Sequence, residues 1–106
     1  MINIFERCKE RFDEEIVENL LQYKNVRIEK IISDNHVSDW YDQGDDEYVC
    51  LLSGYAELEF LGKDNNIKTV ALNPGDTLLI KKHERHRVSK TTQCNWLCIF
   101  IGENNF

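Results

Sequence analysis

The chain has 106 residues and a formal net charge of -6. This length is typical of one domain, and the negative charge argues against nucleic acid as a partner, because phosphate binding draws on a surplus of lysine and arginine. No apolar run approaches the roughly 20 residues that cross a bilayer, and the charged N-terminal residues lack the apolar core of a signal peptide. We therefore expect a cytoplasmic protein without a membrane partner.

The cysteines agree with that compartment. Cys8, Cys50, Cys94 and Cys98 form no Cys-x-x-Cys pair and have no zinc-knuckle spacing. Cytosolic disulfides are rare, and a free cysteine in an apolar run behaves as a small hydrophobic residue. We expect reduced structural thiols, with a pocket-lining Cys98 as the alternative.

One segment near the N-terminus has the periodicity of a helix. Apolar residues recur at helical spacing, and acidic residues occupy the opposite side. The apolar residues are Phe12, Ile16, Val17, Leu20 and Leu21. This pattern predicts a short amphipathic helix over about residues 10–22 that packs on the rest of the fold.

After this segment the apolar period changes to two, which is typical of strands. The predicted strands cover about residues 26–33, 48–52, 55–60, 67–72, 77–80, 85–90 and 96–101. Turn residues separate them, as in Ser53-Gly54 and in 73–76. Short strands at regular spacing, without helices between them, indicate a sandwich or a closed barrel.

Two stretches resemble the two sequence motifs of the cupin family. Residues 40–54 resemble the first, in which a glutamate is followed by a glycine seven positions later, as Glu47 is by Gly54. Residues 75–86 resemble the second, which opens with a glycine-aspartate turn and ends with a histidine, here His86. The resemblance covers roughly residues 26–101.

This resemblance implies an all-β fold, the cupin-type jelly-roll β-barrel, with the short N-terminal helix added to it. We expect one domain in total, in which residues 1–25 form a helical segment packing on the barrel and residues 26–106 form the barrel itself. A small-molecule ligand inside the barrel and a homodimer are the partners that the resemblance implies.

Departures from the motifs concern the metal site of the family. Tyr41 and Gln43 stand where the first motif has two histidines, while Glu47 and His86 match the other two ligand positions. The resemblance therefore implies at most a modified site for a divalent metal such as Zn, Fe, Mn or Ni. Glu47 and His86 would bind it, with Gln43 as a weak oxygen donor and His83 as a further imidazole ligand.

The physical surroundings of Glu47 leave a second interpretation open. Glu47 shares one strand face with Val49 and Leu51, and a carboxylate among apolar neighbours is unfavourable unless a donor, a cation or a metal accompanies it. If the motifs pair as in cupins, Glu47 and His86 meet inside the barrel. They are then either metal ligands or a hydrogen-bonded pair in a metal-free pocket.

Three functions remain open at this point. The first is an enzyme with a divalent metal on Glu47 and His86, in which Tyr41 stands over the open coordination position. The second is a metal-free enzyme resembling cupin isomerases and epimerases, with His86 as general base, Tyr41 as general acid and Glu47 orienting the imidazole. The third is a non-catalytic module that binds a small molecule. The sequence does not decide whether the protein is an enzyme.

Overall fold

A computed structural model describes residues 3–5 and 15–103, and in this part of the chain eight antiparallel strands form two sheets. The strands are β1 (Ile16–Tyr23), β2 (Val26–Asp34), β3 (Asp46–Ser53), β4 (Ala56–Leu61), β5 (Ile67–Leu72), β6 (Thr77–Ile80), β7 (His86–Thr91) and β8 (Gln93–Ile101). The larger sheet has the order β1-β2-β8-β3-β6, and the smaller has the order β5-β4-β7. The prediction of an all-β fold is confirmed, and the two sheets fit a jelly roll.

The inner face of the larger sheet follows the period of two seen in the sequence. Glu47, Val49 and Leu51 are buried along β3, whereas Tyr48 between them is exposed. This alternation arises because successive side chains of a strand point to opposite faces. Both sheets contribute to the buried core, which includes Val49, Leu51, Ala56, Leu58, Leu72, Ile80, Cys94, Trp96 and Cys98.

The prediction of a helix over about residues 10–22 is wrong for the part of that segment that the structure describes. Ile16–Tyr23 is strand β1, which pairs antiparallel with β2; residues 10–14 lie outside the described residues. Val17 and Leu21, which the helix would have buried, are exposed. Pairing with β1 satisfies the backbone donors and acceptors along one edge of β2, and such tertiary pairing overrides a local periodicity.

A segment without regular structure leads into β3 and closes one side of the space between the sheets. Ser38 N–H donates to the carbonyl of Val88, and Tyr41 N–H donates to the carbonyl of His86 at 2.7 Å. His86 N–H donates back to the carbonyl of Tyr41 at 3.1 Å. The segment therefore runs beside β7, which places Tyr41 and the following residues next to His86.

Membrane insertion through a helix has no support in the described residues. None of their segments forms a helix long and apolar enough to cross a bilayer.

Candidate functional site

A cavity of about 280 Å³ lies between the two sheets. Its walls are largely apolar, formed by Ile31, Val49, Leu58, Ile80, Trp96 and Phe100. Tyr41, Gln43, Glu47 and His86 line it as a polar group. Ligand pockets usually combine apolar walls with a few polar groups in this way, and drug-sized ligands use roughly 300–1,000 Å³. The cavity therefore has the size for a small metabolite.

Glu47 is a buried carboxylate with neutral partners. Its side chain is 7% exposed, and the amide Nε2 of Gln43 donates to its Oε1 at 3.0 Å. The thiol of Cys98 on the neighbouring strand also contacts it. Burial raises the pKa of Cys98 well above its ordinary value, and the charge of Glu47 and a hydrogen bond with it raise that pKa further. An amide and a thiol thus accompany this carboxylate in the apolar wall.

His86 is held in one orientation by the backbone. It is 4% exposed, and its Nδ1 lies 2.8 Å from the carbonyl oxygen of Glu84. A carbonyl oxygen only accepts, so the proton of the neutral imidazole resides on Nδ1 and Nε2 keeps its lone pair. The ring packs between Tyr41 and Phe60, with centroid distances of 5.7 and 6.0 Å. Glu84 thus provides the orienting contact that the sequence analysis assigned to Glu47.

The structure brings four of the five residues predicted for the site to one cavity. Tyr41, Gln43, Glu47 and His86 all line it. His83 is not among the lining residues, since its side chain is 68% exposed and its Nδ1 lies 2.7 Å from Oδ1 of Asp42. The positive φ of His83, 63°, belongs to the turn that precedes β7.

The donor set of the described residues does not fit a resident transition metal. Zinc sites in proteins use three or four protein ligands, and residues 3–5 and 15–103 contain no group of three or more His, Cys, Asp or Glu side chains arranged for a metal. Gln43 directs its amino group, a donor, at Glu47. Of the predicted ligands on the cavity wall, Glu47 and His86 are the carboxylate and the imidazole, and Gln43 adds only an amide oxygen, which is a weak donor.

Two charged residues on the cavity wall were missed by the sequence analysis. Arg27 and Glu15 both line the cavity. Alternation along β2 places Arg27 on the same face as Ile31, and this signal could have identified it. Glu15 accepts a hydrogen bond from Ser33 Oγ at 2.7 Å, and Ser33 Oγ in turn accepts from Trp96 Nε1 at 3.2 Å. The contact of Glu15 depends on the tertiary fold and has no local signal.

Alkaline pH is expected to destabilise the protein through Cys94. Burial raises the pKa of the Cys94 thiol from 9.0 to about 11. Since the folded state favours the neutral thiol, the stabilisation is fully present below pH 9 and is lost as the pH rises towards 11. We expect the free energy of unfolding to fall by about 1 kcal/mol between pH 8 and 10 on account of this thiol.

Urea unfolding of the wild type and of Cys94→Ala at both pH values measures this loss. The variant should show a smaller decrease between the two pH values, whatever its stability at pH 8. Cys50→Ala, which removes a half-buried thiol, is the control and should keep the full decrease. Equal decreases in the wild type and Cys94→Ala would contradict the assignment.

Comparison with known proteins adds sequence relatives, although no protein-family model matches the chain. The L-ectoine synthase of Rhodococcus erythropolis is 38% identical over 72 residues, which are 68% of this chain and 52% of that protein. The L-ectoine synthase of Rhodococcus opacus is 35% identical over 72 residues, again 68% of this chain and 52% of that protein. The chain thus spans about half the length of the curated relatives that it matches.

Solved structures resemble most of the chain. A protein of Ralstonia eutropha, provisionally named a mannose-6-phosphate isomerase, is 33% identical with a TM-score of 0.86, and the match covers 97% of this chain and 98% of that one. A cupin superfamily protein of Desulfitobacterium hafniense has a TM-score of 0.77 at 20% identity, covering 91% of this chain and 84% of that one. With the two-sheet fold and the pocket between the sheets, these matches lead to one conclusion: this chain belongs to the cupin superfamily.

Proposed function

We propose that this protein is a small cupin enzyme that carries out acid–base chemistry on a small molecule bound between its sheets, without a resident metal. The single observation that carries the proposal is the orientation of His86. The bond from its Nδ1 to the Glu84 carbonyl leaves Nε2 with a lone pair in a residue that lines the cavity. A buried imidazole held in one tautomer is suited to accept a proton from a bound ligand.

Tyr41 and Glu47 complete the proposed site. Tyr41 lines the same cavity, with its ring centroid 5.7 Å from that of His86, and its hydroxyl is the proposed proton donor. Glu47, which accepts from Gln43, has further acceptor capacity for a ligand donor, because a carboxylate offers about four lone-pair positions. The apolar walls reduce the access of water, which strengthens electrostatic interactions with the ligand.

The names of the relatives favour an enzyme over a non-catalytic binding module. One group is named as a synthase and another protein is provisionally named as an isomerase. The isomerase name agrees with proton transfer, in which one group removes a proton and another returns it. We therefore place proton transfer ahead of ligand storage or sensing as the role of the cavity.

Loss of His86 is expected to slow the proposed proton transfer strongly. The assay is proton NMR in D₂O, which follows enzyme-dependent exchange of hydrogen for deuterium in a panel of small carbonyl and hydroxyl compounds that includes D-mannose 6-phosphate and L-ectoine. His86→Gln should slow the exchange by about 10²–10⁴-fold, the usual contribution of a general base. Tyr41→Phe should also slow the conversion of substrate into product, which the same spectra follow. His83→Gln should leave both rates unchanged, because His83 pairs with Asp42 outside the cavity. Full exchange in His86→Gln would refute the proposal.

The metal-containing alternative has its own measurement. Protein purified without an affinity tag is titrated separately with Zn²⁺, Fe²⁺, Mn²⁺ and Ni²⁺, and bound metal is counted by elemental analysis. We expect no stoichiometric binding, because one carboxylate, one imidazole and a weakly donating amide oxygen fall short of a protein metal site. One metal per chain, lost in both Glu47→Ala and His86→Ala, would replace the metal-free proposal by the metal enzyme.

We further propose that the protein acts as a symmetric homodimer in the cytoplasm. The outer face of the larger sheet exposes large apolar side chains on four of its strands, namely Leu21, Tyr23, Tyr48, Leu79 and Ile101. An apolar face of this kind is typical of an interface, and a twofold axis lets the same face cover itself. The free thiols of Cys50, Cys94 and Cys98 suit a reducing compartment.

A further inference from the structure

Arg27 places a cation on the cavity wall, in line with Glu47. Arg27 pairs with Phe100 across β2 and β8, and Phe100 pairs with Glu47 across β8 and β3. All three residues line the cavity, so they form one row on the inner face of the sheet. Neighbouring strands lie about 4.8 Å apart, so the Cα atoms of Arg27 and Glu47 are roughly 10 Å apart. The cavity thus has a positive group and a negative group at two points of the same wall.

The guanidinium of Arg27 is positioned but not saturated by its neighbours. It stacks on the ring of Phe100, with 4.3 Å between Cζ and the ring centroid. Its Nε lies 3.0 Å from Oε2 of Glu29, yet this nitrogen is buried and makes no hydrogen bond within the described residues. Buried donors are normally satisfied. The stacking and the ion pair therefore orient a planar group that still has donors to offer to a ligand.

We propose that Arg27 is the anion-binding residue of the cavity and that the ligand is a small organic acid. Its carboxylate contacts the guanidinium of Arg27, and a hydrogen-bond donor at its other end, an ammonium or a hydroxyl, contacts Glu47. This inference rests on the proposed function, since it assigns the ligand of the same cavity. A guanidinium matches the planar geometry of a carboxylate with two parallel donors.

The charge balance favours a carboxylate over a phosphate. A phosphate group carries about -1.5 to -2 charges at neutral pH, whereas Arg27 is one cation and already shares its charge with Glu29. Among the described residues that line the cavity, Arg27 is the single arginine or lysine, and it shares the lining with the carboxylates of Glu15 and Glu47. A ligand with one carboxylate and a donor group for an acidic residue therefore fits this lining better than a dianionic phosphate.

The two tryptophans provide a built-in readout that needs no activity. Trp96 lines the cavity, whereas Trp40 lies outside it with its ring under the guanidinium of Arg87, 4.5 Å away. In the ¹⁵N-labelled full chain, titration with 4-aminobutanoate should shift the indole N–H signal of Trp96 and leave that of Trp40 in place. Butanoate lacks the donor and 1-butylamine lacks the carboxylate, so each should bind about tenfold more weakly or worse.

Variants then assign the two ends of the ligand. Arg27→Gln should weaken binding of 4-aminobutanoate by about tenfold or more while leaving the weak binding of 1-butylamine unchanged. Glu47→Gln should show the reverse selectivity, weakening 1-butylamine and leaving butanoate unchanged. Arg27→Lys keeps the charge but loses the paired donors and the stacking, so its affinity should lie between those of Arg27→Gln and the wild type. Arg85→Gln, at an exposed position outside the cavity, is the matched control. An unchanged Trp40 signal verifies that each variant is folded.

Three results would overturn this inference. The first is the absence of a Trp96 shift with 4-aminobutanoate, and the second is equal binding by Arg27→Gln and wild type. The third is tighter, Arg27-dependent binding of 3-aminopropylphosphonate, which would make the ligand a phosphate compound. Hydrogen exchange that depends on His86 but not on Arg27 would contradict the role of Arg27 in ligand binding and would support the proposed function. Ligand binding that depends on Arg27, together with exchange that does not depend on His86, would support the role of Arg27 and contradict the proposed function.

Discussion

Replacing Gly54 with alanine is expected to lower the free energy of unfolding by about 4 kcal/mol. Gly54 turns the chain between β3 and β4 with a φ of 83°, a left-handed conformation that is unfavourable for a residue with a Cβ. An added Cβ would lie 2.4 Å from the carbonyl oxygen of Gln93 and 2.8 Å from the Cα of Cys94. Both are backbone atoms at the start of β8, so the clash can be relieved only by moving a central strand of the larger sheet.

Two other glycines separate the contributions to this loss. Gly75 has a φ of 91° but no atom within 4 Å of an added Cβ, and Gly44 has neither a positive φ nor a close neighbour. Urea unfolding should therefore show almost no loss for Gly44→Ala, about 1 kcal/mol for Gly75→Ala and the largest loss for Gly54→Ala. Equal losses for Gly54→Ala and Gly75→Ala would mean that the close approach to β8 contributes nothing.

The substitution Tyr48→Lys is expected to convert the proposed dimer into monomers. Tyr48 is 41% exposed on the outer face of β3, where it pairs across the strands with Leu79 on one side and Ile99 on the other. A tyrosine near the centre of an interface often contributes 2 kcal/mol or more. A twofold axis applies each change twice, so the dissociation constant should rise about a thousandfold.

Sedimentation equilibrium measures the mass of each species. The wild type should sediment at twice its chain mass of 12.5 kDa, and Tyr48→Lys at 12.5 kDa. Ile67→Lys is the matched control, because Ile67 is 52% exposed but lies on β5 of the smaller sheet, and it should remain dimeric. A wild type that is monomeric at 100 μM, or dissociation by both substitutions alike, would count against this face as the interface.

Much of the fold was predictable because strands carry local signals. The strand expected at 67–72 and that at 77–80 have the observed bounds, since alternating apolar residues and turn residues determine them within a few positions of the chain. The inward direction of Glu47 followed from the same alternation. The hairpin of β1 and β2 was missed because its turn, Lys24-Asn25, contains no glycine, although Lys24 has a φ of 53°. Without a turn signal after it, the apolar spacing in Ile16–Tyr23 was interpreted as a helix, although this segment is a strand.

For the pocket inside the barrel, some features were determined by the sequence and others only by the tertiary structure. By itself, the sequence determined an all-β chain, because periodicity and turn residues are local properties. Its resemblance to the two cupin motifs implied that Glu47 and His86 meet inside the barrel. Only the tertiary structure decided which side chains share the cavity. It brought Arg27 into the row of Glu47 through the register of three strands, and it left His83 exposed beside Asp42. Such proximity depends on pairing between residues far apart in the chain, which no local pattern specifies.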